Sequence, residues 1–308
     1  MFDLTWERSI PIINIDFKKV QSIFTAYDHD LIVIDHKAIH LGCRNSNFVV
    51  STNKGRYLLR MAPVNEINNE IRAFELVKNK IRVPELLFHV LENDINIFIY
   101  QYIDGVSLQE HIIKNGYCEP ALLRQAAESA AIIHNIPKEK IMGFEKYDLP
   151  PFETWYQLFL DNPTVKNRLG GNLHGRIQTL VSDKQEFLPV INEYNSFIHC
   201  DFRPANMLVD AGGQVYFVDW ESAGLGHSLA DAGQFFRYRS FFNASQIEEF
   251  ERVYNENAIR KLPSDWVLLS LFMDLINPLQ MLSSNQEMTA KANDLINVVE
   301  KTLMYFGY

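Results

Sequence analysis

The sequence predicts an α+β fold of two lobes, with an N-terminal antiparallel sheet and one helix over residues 1–102 and a larger, mainly helical lobe over residues 103–308. Three observations predict this fold. A chain of 308 residues exceeds the size of one small core and suits two domains. The first hundred residues alternate short apolar runs with turn residues, which is typical of strands. Beyond Gly105, apolar residues recur mostly at helical spacing.

The N-terminal lobe is predicted to contain strands separated by short turns. The strands are predicted at residues 36–41, 47–52, 57–61 and 96–102, and the turns at 42–46, 54–55 and 104–105. Over residues 65–80 the period changes. Four apolar residues there follow one another at intervals of three or four, which predicts an amphipathic helix: Ile67, Ile71, Phe74 and Val77.

The C-terminal lobe is predicted to be helical except for one segment. Helices are expected over residues 121–135 and 153–160, and again from residue 245 to the C-terminus with interruptions at Pro263 and Pro278. Residues 197–220 instead alternate as strand, loop, strand, turn and strand. The boundary between the two lobes is expected near residues 101–105.

Composition and charge exclude several classes of protein. Hydrophobic residues make up 47% of the chain and charged residues 22%, which is a globular composition. The 38 acidic residues outnumber the 29 Lys and Arg, so no nucleic-acid partner is expected. Three scattered cysteines argue against a disulfide framework or a zinc site. Because there is neither an apolar leader nor an apolar run of membrane length, we expect a cytoplasmic protein without membrane association.

The strand-rich segment of the C-terminal lobe concentrates residues suited to chemistry. Apolar runs on either side of Gly212-Gly213 predict a hairpin. If the hairpin is symmetric about that dipeptide, Asn206 lies opposite Asp219, with Asp201 on the same rim. Converging carboxylate and amide oxygens suit Mg²⁺, which is a hard cation.

The same segment carries motifs of a known family. Residues 199–206, His-Cys-Asp-Phe-Arg-Pro-Ala-Asn, resemble the catalytic loop of the protein-kinase-like fold. The His-Cys-Asp start and the Asp-Trp-Glu motif at 219–221 are similar to the His-Gly-Asp and Asp-Trp-Glu motifs of the aminoglycoside phosphotransferase family, small-molecule kinases related to choline and homoserine kinases. The resemblance covers about residues 37–240, and no Ala-Pro-Glu signature of protein kinases follows.

The resemblance implies a bilobal protein-kinase-like enzyme, an O-phosphotransferase that moves the γ-phosphate of Mg-ATP (or GTP) to a hydroxyl of a small polar molecule. An aminoglycoside is one candidate substrate, and antibiotic resistance would follow from it. The alternative is a housekeeping metabolite kinase of the choline, homoserine or sugar type; a catalytically inactive nucleotide-binding module is disfavoured. Acidic residues of the C-terminal part lean toward a cationic substrate, although a solvated helix face explains them better. Monomer and homodimer both remain open.

The motif residues take their roles from what phosphoryl transfer requires. Asp201 is expected to accept or orient the proton of the substrate hydroxyl, and Arg203 to contact the transferred phosphate. Asn206 and Asp219 are expected to hold Mg²⁺ on the nucleotide phosphates. Three further residues are predicted to have structural roles. His199 is expected to be a buried ring, Cys200 a small packed side chain, and Asp231 an anchor for the catalytic loop.

The N-terminal lobe is expected to supply a cation for the α- and β-phosphates. By position this cation is Arg60, with a solvated strand-end Arg as the alternative. Glu70 lies about 45° from the centre of the apolar stripe of the helix, so we expect it to turn inward and pair with Arg60. Glu66 and Glu75 are expected to face solvent.

The remaining nucleotide contacts are predicted to be made by the backbone. The loop that ends at Ser46 and Asn47 would cover the phosphates with N–H groups, although a plain hairpin turn explains its single glycine equally well. The connector from Gln101 to Ile103 would hydrogen-bond adenine.

Overall fold

The computed structural model describes residues 6–40, 42–64, 69–142, 144 and 150–308. Its strands are β1 (Val33–Ile39), β2 (Ser46–Thr52), β3 (Gly55–Pro63), β4 (Leu86–Glu92), β5 (Ile95–Gln101), β6 (Gly105–Ser107), β7 (Ser196–Ile198), β8 (Met207–Asp210), β9 (Val215–Phe217) and β10 (Gly224–Gly226). Its helices are α1 (Phe17–Tyr27), α2 (Glu70–Val77), α3 (Leu108–Asn115), α4 (Pro120–His134), α5 (Phe152–Leu160), α6 (Pro163–Asp183), α7 (Leu188–Ile191), α8 (Ser228–Phe235), α9 (Ala244–Asn257), α10 (Trp266–Asp274), α11 (Ile276–Leu282) and α12 (Thr289–Tyr305).

The first five strands form an antiparallel sheet in the order β1-β2-β3-β5-β4. Side chains along β2 alternate between buried and half-buried, as expected for a strand with one face on a core. That core lies between the sheet and α1, whose Val20, Ile23 and Phe24 are buried in it. The sheet and α1 therefore share one apolar core.

Helix α1 is missing from the sequence-based prediction, which has a single helix in this lobe. Its signal is nevertheless present, because Phe17, Val20, Phe24 and Tyr27 recur at intervals of three or four. Asp16 caps the helix by accepting a hydrogen bond from the backbone N–H of Lys19 (2.7 Å). The helix supplies the apolar face that covers the sheet.

The other predicted elements of this lobe are confirmed with shifted ends. The strands predicted at 36–41, 47–52, 57–61 and 96–102 correspond to β1, β2, β3 and β5, and Leu41 lies outside the described residues. The helix predicted over 65–80 corresponds to α2, and residues 65–68, which include Glu66 and Ile67, also lie outside them. Strand β4 was not predicted and extends the sheet at one edge.

Helix α2 connects the sheet with the C-terminal lobe. Its Ala73 and Val77 are buried in the large apolar core of that lobe. Just before the helix, the backbone N–H of Asn69 donates to the carbonyl oxygen of Glu221 (3.2 Å), and its Nδ2 donates to that of Ala223 (2.9 Å). These contacts fix α2 against the Asp-Trp-Glu motif.

The C-terminal lobe is mainly helical around one apolar core, which confirms the predicted α+β architecture. Its helices α4 and α5 correspond to the predictions over 121–135 and 153–160. Strands β7, β8 and β9 correspond to the strands predicted within residues 197–220. They form two small sheets, β6-β8-β9 and β7-β10, with β6 and β10, which were not predicted. Within the described ranges, no helix is both long and apolar enough to cross a membrane.

Candidate active site

The loop between β7 and β8 carries the predicted catalytic residues and is anchored by Asp231 of α8. The carboxylate of Asp231 accepts hydrogen bonds from the backbone N–H groups of His199 (2.8 Å) and Cys200 (2.9 Å). The Nε2 atom of His134 lies 3.1 Å from the same carboxylate, which is fully buried. These contacts agree with the structural role predicted for Asp231.

His199 and Cys200 match their predicted roles to different degrees. The His199 ring is buried, with its Nε2 3.0 Å from the carbonyl oxygen of Val218, so its role is structural as predicted. Cys200 is exposed, so the prediction of a packed side chain is wrong. Its backbone has a φ of +66°. Residues with a Cβ are disfavoured in this left-handed region. The Gly at the corresponding position of the His-Gly-Asp motif has no Cβ and suits this conformation better.

Asp201 is held by two neighbours on its own loop. Arg203 donates through Nε to Oδ1 (2.5 Å) and through Nη2 to Oδ2 (3.0 Å), and Asn206 Nδ2 donates to Oδ2 (2.7 Å). Burial pushes the pKa of Asp201 upward, but the Arg203 guanidinium outweighs it and lowers that pKa to about 2. We therefore expect the carboxylate to be ionised near neutral pH.

The hairpin formed by β8 and β9 is one residue out of the predicted register. Asn206 faces Val218, whose N–H donates to the Asn206 carbonyl oxygen (3.0 Å), so the prediction that Asn206 lies opposite Asp219 is wrong. The prediction assumed a two-residue loop. The observed loop has three residues and ends at Gly213, whose φ of +72° closes this common type of turn.

Arg60 of β3 joins the sheet to the Asp-Trp-Glu motif. Its Nη2 lies 2.7 Å from Asp219 Oδ1, 3.0 Å from Glu221 Oε2 and 3.5 Å from Glu70 Oε2. The expected approach of Arg60 to Glu70 is thus present, and the side chain is only 7% exposed. Burial disfavours the charged form of Arg60, but the three carboxylates raise its pKa. Its Nε has no hydrogen-bond partner in the described part of the chain.

Glu70 turns inward from α2, as the helical phase predicts, whereas Glu75 is exposed. The Tyr100 hydroxyl donates to Glu70 Oε1 (2.6 Å), and both side chains are buried. Burial raises the pKa of Glu70, and the nearby Arg60 and Tyr100 offset this only in part. The ionised Glu70 carboxylate is therefore costly to the fold, and its contacts orient Arg60.

Glu221 and Asn45 belong to this cluster, although no role was predicted for them. Glu221 Oε2 accepts a hydrogen bond from Asn45 Nδ2 (2.9 Å) as well as from Arg60. Burial, followed by the charge of Asp219, raises the pKa of Glu221. The sequence offered a signal for Glu221, because it follows Asp219 by two positions in the Asp-Trp-Glu motif. It offered none for Asn45.

The predicted phosphate loop ends at Ser46 and Asn47, the first two residues of β2. Ser46 is buried opposite Met61 of β3, and its Oγ accepts a hydrogen bond from the N–H of Ile13 (2.8 Å), so its side chain is engaged within the lobe. Asn47 pairs with Arg60 across β2 and β3. Its Oδ1 is buried without a hydrogen-bond partner among the described residues.

The connector after β5 uses only the first of its backbone N–H groups within the described part of the lobe. The N–H of Gln101 donates to the carbonyl oxygen of Glu85 (2.9 Å) and is used within the lobe. Ile103 lies beyond the strand, and its N–H makes no backbone hydrogen bond within the ranges the structure describes. Of the two residues predicted to contact adenine, Gln101 therefore has its N–H engaged, whereas that of Ile103 is not used by another backbone group of the described residues.

The antiparallel sheet, the helical lobe, the anchored Asp201 loop and the buried Arg60 cluster define a bilobal phosphotransferase with a protein-kinase-like fold. The model of the phosphotransferase enzyme family (APH) matches residues 35–264, which is more than half of the chain. The chain belongs to this family, and the resemblance seen in its motifs is confirmed. No match was found among curated proteins.

Solved structures similar to this chain share its fold. A putative aminoglycoside phosphotransferase from Ralstonia eutropha JMP134 is 16% identical with a TM-score of 0.65, over 95% of this chain and 98% of that one. The choline kinase LicA from Streptococcus pneumoniae is 15% identical with a TM-score of 0.65, over 94% and 98%. A thermostable mutant of aminoglycoside phosphotransferase APH(4)-Ia, in a ternary complex with AMP-PNP and hygromycin B, is 16% identical with a TM-score of 0.66, over 92% and 98%.

Proposed function

We propose that this phosphotransferase moves the γ-phosphate of Mg-ATP, or of GTP, to a hydroxyl group of a small polar molecule. The observation that carries the proposal is the Asp201 carboxylate, ionised and held by Arg203 and Asn206. Residues 1–102 would bind the nucleotide and residues 103–308 the acceptor. The ternary complex of APH(4)-Ia with AMP-PNP and hygromycin B supports this reading by analogy.

The residues at the Asp-Trp-Glu motif fit Mg²⁺. Three carboxyl groups surround the single guanidinium of Arg60, and a divalent cation bound beside them would favour their ionised forms. Asn206 donates through its Nδ2, and its Oδ1 makes no hydrogen bond with any described residue. Asp219 and Asn206 would hold the ion, which would offset charge on the nucleotide phosphates.

Asp201 would orient the acceptor hydroxyl rather than deprotonate it in advance. A carboxylate with a pKa of about 2 is a weak base, so early removal of an alcohol proton is unfavourable. It is nevertheless a good hydrogen-bond acceptor, and it can take the proton as the new P–O bond forms and the hydroxyl becomes acidic. Arg203 would turn part of its guanidinium to the transferred phosphate, whose charge must be stabilised in the transition state.

Arg60 would bind the phosphates that are not transferred. Its Nη2 is committed to carboxylates, whereas its Nε is buried without a hydrogen-bond partner in the part of the chain described. A guanidinium can therefore keep its carboxylate partners and still donate to a phosphate oxygen. The N–H of Ile103 would donate to the base.

A coupled ADP-release assay with Mg-ATP tests the proposed function over aminoglycosides, choline, homoserine and aminated sugars. We expect at least one acceptor to raise ADP release above the acceptor-free rate, and Asp201→Asn to remove that increase. Asp265→Asn, an exposed aspartate of the same lobe, is the control and should behave as wild type. A protein that binds Mg-ATP but transfers phosphate to none of these acceptors would instead favour the inactive nucleotide-binding module.

A further inference from the structure

The loop that carries Asp201 is held by a second side chain of α8 besides Asp231. Gln234 lies three residues further along the same helix and is 6% exposed. Its Oε1 accepts a hydrogen bond from the backbone N–H of Phe202 (2.7 Å), and its Nε2 donates to the carbonyl oxygen of Cys200 (3.0 Å). The amide group of Gln234 therefore binds the two residues that flank Asp201.

These two hydrogen bonds lie on opposite sides of the Asp201 Cα atom. The Cys200 carbonyl belongs to the peptide group before Asp201, and the Phe202 N–H belongs to the peptide group after it. Because peptide groups are planar, fixing both planes fixes the φ and ψ angles of Asp201. The direction of its Cα–Cβ bond follows from these planes, so Gln234 limits where the Asp201 carboxylate can point.

The residue before Asp201 has a backbone conformation that needs such support. Cys200 has a φ of +66°, which lies in the left-handed region where a Cβ is disfavoured. A conformation of this kind persists only where the surrounding structure holds it. The N–H of Cys200 donates to Asp231 (2.9 Å), and its carbonyl oxygen accepts from Gln234. Both backbone polar groups of Cys200 are thus bound to α8.

Helix α8 is a firm support because it packs closely against α10. At Gly233, beside Gln234, a Cβ atom would lie 2.3 Å from the carbonyl oxygen of Ser270, so this approach of the two helices requires glycine. On the side of the loop, Phe202 is 1% exposed, and its ring centroid lies 5.4 Å from that of Phe217. The loop and the helix that holds it are therefore both fixed by packing.

We propose that Gln234 is a positioning residue that holds the Asp201 carboxylate in the orientation needed for phosphoryl transfer. The inference rests on the proposed function for the role of Asp201, whereas the hydrogen bonds of Gln234 can be tested without it. Gln234 acts through the loop and contacts neither nucleotide nor acceptor. Its loss should therefore lower kcat and leave the affinity for Mg-nucleotide nearly unchanged.

Two buried glutamines of the same lobe provide a matched pair of variants. Gln234→Met removes both hydrogen bonds and keeps a side chain of similar length. Gln246 of α9 is 7% exposed and also binds two backbone groups, since its Oε1 accepts from the N–H of Asn243 (2.9 Å) and its Nε2 donates to the carbonyl oxygen of Cys118. Gln246→Met should therefore lower the thermal unfolding midpoint by a similar amount. Both variants are assayed below their midpoints.

Steady-state kinetics with the acceptor found by the ADP-release assay, together with calorimetric titration of Mg-ADP, test the proposal. We expect kcat of Gln234→Met to be lower than that of Gln246→Met by about 10-fold or more, with equal Mg-ADP affinity. Adding Cys200→Gly to Gln234→Met removes the cost of the left-handed backbone, so kcat should recover by about 3-fold or more. Equal kcat in the two Met variants, or a loss that Cys200→Gly does not recover, would overturn the proposal.

Amide hydrogen exchange at Phe202 tests the same contact without any activity. Its N–H should exchange at least about 10-fold faster in Gln234→Met and close to the wild-type rate in Gln246→Met. If wild type phosphorylates no acceptor, the proposed function fails, and faster exchange at Phe202 would still support the hold of Gln234 on the loop. Unchanged exchange at Phe202 in Gln234→Met would overturn the inference whatever the activity.

Discussion

Replacing Glu70 by Gln should leave the stability of the fold nearly unchanged or slightly higher, while it raises the KM for ATP. The Glu70 carboxylate is 4% exposed and lies 3.5 Å from Arg60 Nη2. At an effective dielectric constant of about 20, the attraction across that distance is about 5 kcal/mol. Removing a carboxylate from water costs several kcal/mol in return. The raised pKa of Glu70 indicates that burial outweighs the attraction of Arg60.

A raised pKa means that the folded state favours the protonated form of Glu70, which Gln resembles. Below the unfolded pKa of 4.5, wild type and Glu70→Gln should be equally stable. As the pH rises from 4.5 through the folded pKa, wild type loses stability relative to the variant. At pH 7 we therefore expect the variant to equal wild type or exceed it by about 1 kcal/mol. Arg60 remains compensated by Asp219 and Glu221.

The KM for ATP should nevertheless rise about 3- to 10-fold, which is about 1 kcal/mol, because Arg60 loses one of the carboxylates that orient it. Glu70→Ala also removes the acceptor of the Tyr100 hydroxyl and should cost about 1–3 kcal/mol of stability. Urea unfolding at pH 4 and pH 7 and initial rates against ATP measure these effects, with the exposed Glu75→Gln as control. A loss above about 2 kcal/mol for Glu70→Gln at pH 7 would refute this reasoning.

Three further outcomes are expected. ATP should bind more tightly with Mg²⁺ than without it, since Asn206 and Asp219 offer hard oxygen donors; equal affinity by calorimetry would contradict the metal assignment. Asp231→Asn should lower kcat about 10-fold or more with little change in ATP affinity, because it weakens the anchor of the catalytic loop; a change confined to ATP affinity would place Asp231 elsewhere. Arg8→Ala should raise the KM for ATP a few-fold, because Arg8 donates to the carbonyl oxygens of Gly42 (2.5 Å) and Asn45 (2.8 Å) in the loop predicted to cover the phosphates. An unchanged KM would mean that ATP binding does not depend on these two hydrogen bonds.

Most of the fold could be predicted from local sequence patterns. Strands β2, β3 and β5 and helices α4 and α5 carry their own periodicity, so their type and approximate position follow from it. Glu70 could be placed facing inward for the same reason, because helical phase is a local property. Helix α1 has an equally clear pattern of apolar residues, so it too was predictable from the local sequence.

The errors at the site come from turns and long-range contacts. The register of β8 and β9 depends on whether the loop has two or three residues, and the Gly212-Gly213 pair allows both. The approach of Asn45 and Glu221 joins residues far apart in the chain, and no local pattern reports it. The contact between Trp6 and Arg203 is also a long-range one. No local pattern predicts it, because Trp6 is held by Asp294 of α12, near the other end of the chain.

The central claim is that Asp201 acts on the acceptor hydroxyl while Asp219 acts on the metal and nucleotide. Single-turnover kinetics combined with nucleotide titration of Asp201→Asn and Asp219→Asn test it most directly, with the acceptor found by the ADP-release assay. For Asp201→Asn we expect kcat to fall by about 10²–10⁴ with Mg-ATP affinity nearly unchanged, and for Asp219→Asn we expect Mg-ATP affinity itself to fall. Normal turnover of the acceptor by Asp201→Asn would contradict the mechanism.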